Sequence, residues 1–368
     1  MSLLSNFFKK EEARALGIDI GSSAIKIVQI KKKNGQAVLE TYGELALGPY
    51  ASKAVGQSVN LPPDKLASAL SDLMKEKEVG VTTKKCGLSI PFASSLMSEI
   101  EMPAVSDKQL AVMVPLEARK YIPVPISEVT LDWSVIPQNE VNPQEEESNL
   151  PVSARKKINV LVVAIHNDTL SRYQEIVQSA GLEAGFFEIE IFSTMRSVLS
   201  DTLRPILVID MGAASTKLYI VERGIIRASH TVNRGSQDIT SNMSKSLNIT
   251  PEQAEILKRT QGLIGADPAI KEVISLTLDY IFSEVNTTML AFEKKHNKTI
   301  AKTILVGGGA LLKGLLVLSK ENLKTEVEVG LPFNKVSAPA FLDNILHETG
   351  PEFAVAIGLA LRKLSEEE

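Results

Sequence analysis

Two stretches of this chain, about half its length apart, are built to one plan. Leu16 to Ile30 reads LGIDIGSSAIKIVQI, and Ile206 to Gly224 reads ILVIDMGAASTKLYIVERG. Each is an apolar run carrying one aspartate (Asp19, Asp210), then a glycine among small residues, then a second apolar run. Apolar runs flanking such a turn predict a β-hairpin with largely buried strands. An aspartate in a buried strand is costly unless something pairs with it. Glycine at the turn lets backbone N–H groups approach an anion closely. One such hairpin is most simply a turn. Two of them predict a duplicated fold, with phosphates clamped between the halves. A chain of 368 residues also suits two lobes better than a single core.

The residues around the turns fit that chemistry. Gly21, the hydroxyls of Ser22 and Ser23, and Lys26 suit phosphate oxygens, and Asp19 suits a hydrated Mg²⁺. Gly212, Ala213, Ser215 and Thr216 stand in the corresponding places of the second hairpin, beside Asp210. A third stretch, Thr303 to Leu315 (TILVGGGALLKGL), runs from an apolar strand through Gly307, Gly308 and Gly309 into a predicted helix. Bare backbone at a helix N-terminus suits a flat or anionic ligand.

The order of these three motifs resembles the phosphate-1, phosphate-2 and adenosine motifs of the actin, Hsp70 and hexokinase ATPase superfamily. The resemblance covers nearly the whole chain. It implies an α/β, actin-like (RNase H-like) fold of two lobes, each with a mixed five-stranded sheet, that binds ATP with Mg²⁺. On that resemblance Asp19 and Asp210 serve the metal, and Lys26, seven residues after Asp19, reaches the phosphates. Glu190 takes the place of the glutamate that positions the attacking water; read from the residues alone, it complements a helix N-terminus. Glu255 and Lys258 share one face of a predicted helix. By themselves they are a surface ion pair, and by resemblance they reach the ribose and base. Ala213-Ala214 departs from the Gly-Gly or Gly-Asp of many relatives. The methyls crowd the backbone and remove a carboxylate, which weakens the case for fast hydrolysis more than for binding.

Between the motifs, the pattern predicts strands at Gln36–Leu47, Thr82–Ile90, Met97–Met102, Glu128–Ile136 and Ile158–Ile165. Helices are predicted at Asp64–Glu78, with Leu66, Leu70, Leu73 and Met74 on one face, and from Ser106 to Arg119 and Asn167 to Ser179. Thr250, Pro251 and Gln253 spell a capped helix start, and 268–297 reads as one long helix. The polar stretch 137–157, with three prolines and an EEE run, predicts a mobile loop. The resulting division is an N-terminal arm (1–13), a first lobe (14–80 and 183–203), an inserted subdomain (81–182) and a second lobe (204–368, with 237–300 helical). Small residues in PEFAVAIGLALRKL suit packing of the last helix on the other lobe.

An insertion at that point resembles FtsA and the PilM family of type IV pilus assembly proteins. The runs EARKYIPVP, VTLDWSVI and INVLVVAI, and the opening GIDIGSSAIKIVQI, are similar to PilM. FtsA ends in an amphipathic membrane helix, whereas this chain ends in the acidic RKLSEEE, which favours the PilM branch. The resemblance implies a cytoplasmic ATP-binding component of the type IV pilus inner-membrane platform, with at most slow ATPase activity. Its partner would be the cytoplasmic tail of a PilN-like membrane protein, through which it would meet the membrane. A filament-forming ATPase of the FtsA or MreB kind, with self-association, is the alternative, as is the cytoplasmic domain of a type II secretion platform.

Composition narrows the remaining classes. With 44 acidic and 40 basic residues there is no general drive toward nucleic acid. The single Cys86 forms no internal disulfide, and the four histidines lack ligand spacing. No apolar run approaches about 20 residues. The opening MSLLSNFFKKEEAR has no signal-type apolar core. It reads as a short arm that docks on its own domain or a partner.

Overall fold

The computed structural model describes residues 13–136, 157–200, 202–265 and 267–366. Within these the chain forms two compact units, one running up to Ser89 and again from Ile176 onward, the other lying between Ile90 and Glu175. The expected arm and the loop at 137–157 lie outside the described residues, except for their last residues, Ala13 and Lys157.

The larger unit carries two sheets of the same design. The first is ordered β3-β2-β1-β4-β8, from β1 (Arg14–Ile20), β2 (Ala24–Lys33), β3 (Gln36–Ala46), β4 (Lys85–Ile90) and β8 (Glu183–Ile189). The second is ordered β11-β10-β9-β12-β13, from β9 (Ile206–Met211), β10 (Thr216–Glu222), β11 (Ile225–Val232), β12 (Lys302–Val306) and β13 (Glu326–Val329). Each starts with an antiparallel meander and adds a parallel strand beside its first strand. The duplicated hairpins are therefore the centres of two equivalent, mixed sheets.

Helices cover these sheets where the apolar pattern demands it. On α1 (Pro63–Lys75), Leu66, Leu70 and Leu73 are buried. The second lobe packs α5 (Ser236–Ser246), α6 (Pro251–Thr260), α7 (Pro268–His296) and α8 (Leu315–Asn322) around a core that includes Leu207, Ile209, Leu218, Ile274 and Phe282. Thr250 caps α6 as its sequence predicts: Gln253 N–H donates to its hydroxyl at 3.2 Å, and Thr250 N–H donates to the Gln253 side chain at 3.0 Å. Helices α4 (Glu190–Val198), α9 (Asp343–Thr349) and α10 (Ala354–Glu366) belong to the first lobe's surroundings. Ala356, Ile357, Ala360 and Leu364 of α10 share a core with Ala15, Val28 and Ile30. A Cβ on Gly17 would lie 1.9 Å from the Ala356 carbonyl, so β1 and α10 meet backbone to backbone. The end of the chain thus follows the second lobe in sequence but packs on the first sheet.

The smaller unit is an antiparallel sheet of order β5-β7-β6, from β5 (Ser95–Pro103), β6 (Val129–Ile136) and β7 (Lys157–His166), with α2 (Asp107–Ala118) on it. Leu110, Val114 and Ala118 of α2 meet Ile100, Val160 and Val162. The remaining helix, α3 (Asn167–Ser179), has the bounds that its pattern predicts. No helix among the described residues is long and apolar enough to cross a membrane.

One local expectation is corrected. The three glycines do not lead straight into a helix. A short 3₁₀ turn, Gly308–Leu311, follows β12, and α8 starts only at Leu315. The glycines therefore offer bare backbone without a helix N-terminus behind them.

Candidate functional site

Strand pairing places the two aspartates equivalently. Asp19 lies opposite Lys26 across the β1–β2 hairpin, and Asp210 lies opposite Lys217 across β9–β10. Both turns close alike: Gly21 N–H donates to the Ala24 carbonyl and Gly212 N–H to the Ser215 carbonyl, each at 3.0 Å. Lys217, like Lys26, comes seven residues after its aspartate. That spacing was the available sequence signal for a residue the motif reading passes over.

At the centre, the Lys217 ammonium donates to Glu190 Oε2 at 2.8 Å and to Asp210 Oδ2 at 3.3 Å. Glu190 is the first residue of α4, so this pair joins the two lobes. Ser89 holds Asp19 by donating to its Oδ1 at 2.8 Å. Burial alone would lower the Lys217 pKa, but Asp210 and Glu190 hold it well above its ordinary value. Burial pushes Glu190 up against the pull of Lys217, and pushes Asp19 up against Lys26 and Ser89. Burial is the leading cause for both Glu190 and Asp19.

Lys26 turns to a different set. Its Nζ is 3.2 Å from Glu44 and 3.8 Å from Glu352. These carboxylates outweigh burial and raise its pKa, while burial raises that of Glu352. Gly21 and Gly308 are both exposed. A Cβ on Gly308 would meet nothing closer than Glu352 Oε2 at 3.7 Å. Gly307 has φ +83°, and a Cβ there would lie 2.5 Å from Asp210 Oδ1. Gly309 is pressed on the Met211 side chain. Of the triad, then, Gly308 offers open backbone, Gly307 admits Asp210, and Gly309 packs.

Thr216 is fully buried and donates to the Arg234 carbonyl at 2.8 Å. Ser22, Ser23, Ala213 and Ser215 are half-buried at the two turns. The loop after β3 spans the lobes here. Leu47 N–H and Val59 N–H donate to the carbonyls of Ser23 and Ser22, and Ser58 N–H reaches the Gln237 side chain at 3.0 Å.

Glu255 and Lys258 are not a surface pair. They meet at 2.7 Å with both side chains under a tenth exposed. Thr240 donates to Glu255 at 2.7 Å, and Lys258 donates to the Ser236 carbonyl at 3.2 Å. Burial lowers the Lys258 pKa despite its partner, whereas Lys258, Thr240 and Arg259 together hold Glu255 below its ordinary value against burial.

The bare, exposed backbone at Gly21 and Gly308, with a lysine in each of the two hairpins, fits a nucleotide's phosphates. The donor set fits a directly ligated Mg²⁺ less well. Asp210 and Glu190 already hold an ammonium, and among the described residues no three His, Cys, Asp or Glu side chains gather as a metal site.

The sequence profile of the family described as Type IV pilus assembly protein PilM matches residues 17–364. The chain belongs to the PilM family. A solved PilM–PilN type IV pilus biogenesis complex is similar at 26% identity and a TM-score of 0.79, covering 95% of this chain and 98% of that one. The cell division protein FtsA of Streptococcus pneumoniae serotype 2 is 22% identical over 88% of this chain and 77% of its own length. MreB5 of Spiroplasma citri, solved bound to AMPPNP, shares the fold, with a TM-score of 0.51 at 12% identity over 96% and 97% of the two chains. This PilM family member thus shares its actin-like fold with the solved PilM–PilN complex and with MreB5.

Proposed function

We propose that this PilM family member is a nucleotide-binding adaptor of the type IV pilus assembly platform. It works on the cytoplasmic face of the inner membrane and binds the cytoplasmic tail of a PilN-like membrane protein. Its membrane contact is through that partner, and ATP in the interlobe cleft tunes the surface offered to the tail. The observation that carries this reading is the likeness to the PilM–PilN complex over nearly the whole of both chains. Gly21, Ser22, Ser23, Lys26, Gly212, Ala213, Ser215 and Gly308 line the phosphate side, and Glu255 and Lys258 the nucleoside side. Glu190 is the candidate for positioning water, with turnover slow at most because Lys217 occupies its carboxylate.

The test is binding of a fluorescent ATP analogue to the parent and to Asp210→Ala, with and without the PilN-type tail peptide. Binding by the parent, its loss in the variant and tightening by the peptide would support the reading, since coupling between sites is reciprocal. A parent that binds the peptide but no nucleotide would reduce the motifs to fold ancestry.

A filament-forming role is the second reading, favoured by the FtsA relatives that match most of the chain. ATP-dependent pelleting of the purified protein separates the two.

A further inference from the structure

Lys217 sits at the centre of the cleft, and the nucleotide reading gives it no task. Its place is fixed by backbone register, since it faces Asp210 across the β9–β10 ladder. Its side chain is only 16% exposed. The ammonium bridges Asp210 of one lobe and Glu190 of the other at 3.3 and 2.8 Å. Asp19 adds its charge to the same field.

A divalent cation here would draw on the same oxygens. Mg²⁺ demands near-octahedral oxygen ligands at about 2.0–2.1 Å. Two of the three carboxylates able to face it, Asp210 and Glu190, already hold the ammonium, Asp19 accepts from Ser89, and two cations at one point repel. The mirrored Lys26 makes its ion pairs elsewhere, with Glu44 and Glu352.

We infer that Lys217 is a resident counterion: its ammonium holds the interlobe position of a divalent cation, so the cleft accepts a nucleotide without metal. The phosphate half of this statement rests on the nucleotide reading above; the cation half does not. Lys217 supplies positive charge to the phosphates from the second lobe and Lys26 from the first.

The experiment has two arms on the full chain. In the first, Mn²⁺ uptake is followed by the electron-spin resonance of the free ion, with no nucleotide present. The parent retains no Mn²⁺ at millimolar concentrations. Lys217→Met exposes the carboxylates and tightens Mn²⁺ binding by about ten-fold or more, the scale on which such neighbours tune metal affinity. Adding Asp210→Asn removes the gain. A parent that binds Mn²⁺ as tightly as Lys217→Met, and loses it on Asp210→Asn, overturns the inference. Lys217→Gln repeats the arm should the methionine variant fail to fold.

The second arm needs only the parent: affinity for a fluorescent ADP analogue in EDTA and in excess Mg²⁺. The two values agree within about three-fold if the lysine replaces the metal, whereas any larger gain with Mg²⁺, which binds through substrate phosphates, overturns it. A parent that binds the analogue in neither condition defeats the nucleotide reading, and the Mn²⁺ arm then decides the lysine's role alone.

Discussion

Replacing Gly358 by alanine should destabilise the larger unit although alanine is the better helix former. Gly358 lies in α10 where it crosses α4, and a Cβ there would stand 1.9 Å from the Ser193 carbonyl oxygen and 2.5 Å from its carbon. Ordinary contact begins near 3.4 Å, so the helices must part by about 1.5 Å. The obstacle is backbone, which no rotamer change removes. On its other side α10 meets β1 through Gly17, with no slack to retreat into. The retreat would also stretch the 3.1 Å bond from Arg196 to the Gly358 carbonyl. Overpacking of this kind costs about 1–3 kcal/mol, and a lost hydrogen bond about 1 kcal/mol more. The gain in helix propensity returns about 1 kcal/mol. A net loss of about 2 kcal/mol follows, read as a lower urea midpoint by far-UV circular dichroism at unchanged slope. The sole tryptophan, Trp133, lies in the other unit, so its fluorescence transition should stay in place. Gly185→Ala is the control, since there the nearest atoms belong to the flexible end of Lys363. A Gly358→Ala protein as stable as the parent, or more so, would refute the reasoning.

Glu188→Gln removes the charge that Arg196 and Arg362 face at 2.8 and 2.7 Å and turns one of the two oxygens that accept from them and from Ser193 into an NH2 donor; with both arginines about one-third exposed, the loss at neutral pH should be about 2 kcal/mol. Burial would raise the Glu188 pKa, but Arg196, Ser193 and Arg362 hold it below its ordinary 4.5, so this stabilisation is present above that value and fades as pH falls through the lower folded one; acid titration of both proteins should show the gap closing there. Gly307→Ala forces a Cβ onto φ +83°, ψ 167° and within 2.5 Å of Asp210 Oδ1; that essentially glycine-only backbone alone costs about 1–3 kcal/mol, and calorimetry should show a lower Tm together with weaker binding of the nucleotide analogue. Burial pushes the Cys86 thiol up to about 12, so iodoacetamide at pH 8 should leave it unmodified in the native protein and label it only after denaturation; rapid native labelling by mass spectrometry would contradict its burial.

Much of the architecture is legible in the chain because long apolar runs and capping residues act locally. The two hairpins, α3, the capped start of α6 and most of α7 follow from period and punctuation alone. The fifth strand of each sheet does not. In β8, EAGFFEI, a glycine interrupts the pattern, and β13 is only EVEV; both gain their strand character from a neighbour rather than from their own sequence. The site divides the same way. Asp19, Asp210 and the turn glycines are visible because the motif repeats. The burial of Glu255 and Lys258 depends on Thr240 and Ser236 of another helix, which no spacing within α6 reveals. Lys217 was legible through its offset from Asp210, but only once the two hairpins are compared residue by residue.

That comparison also shows how the duplicated halves have diverged. Lys26 is held by Glu44 in its own hairpin's meander and by Glu352 just ahead of α10, on the side of the first sheet. Lys217 reaches out of its own sheet to Glu190, at the start of a helix packed beside the first. One half therefore keeps its lysine at home, and the other spends it on joining the lobes. Ser58 reaching Gln237 adds a second link between them, from the loop after β3. Two links thus join the lobes, Lys217 to Glu190 and Ser58 to Gln237. A motor needs a large difference between its loaded and empty states, because a ligand shifts an equilibrium only by its differential affinity for the two. On the proposed reading the Lys217–Glu190 pair biases the cleft toward closure, which fits a platform adaptor with a tuned surface.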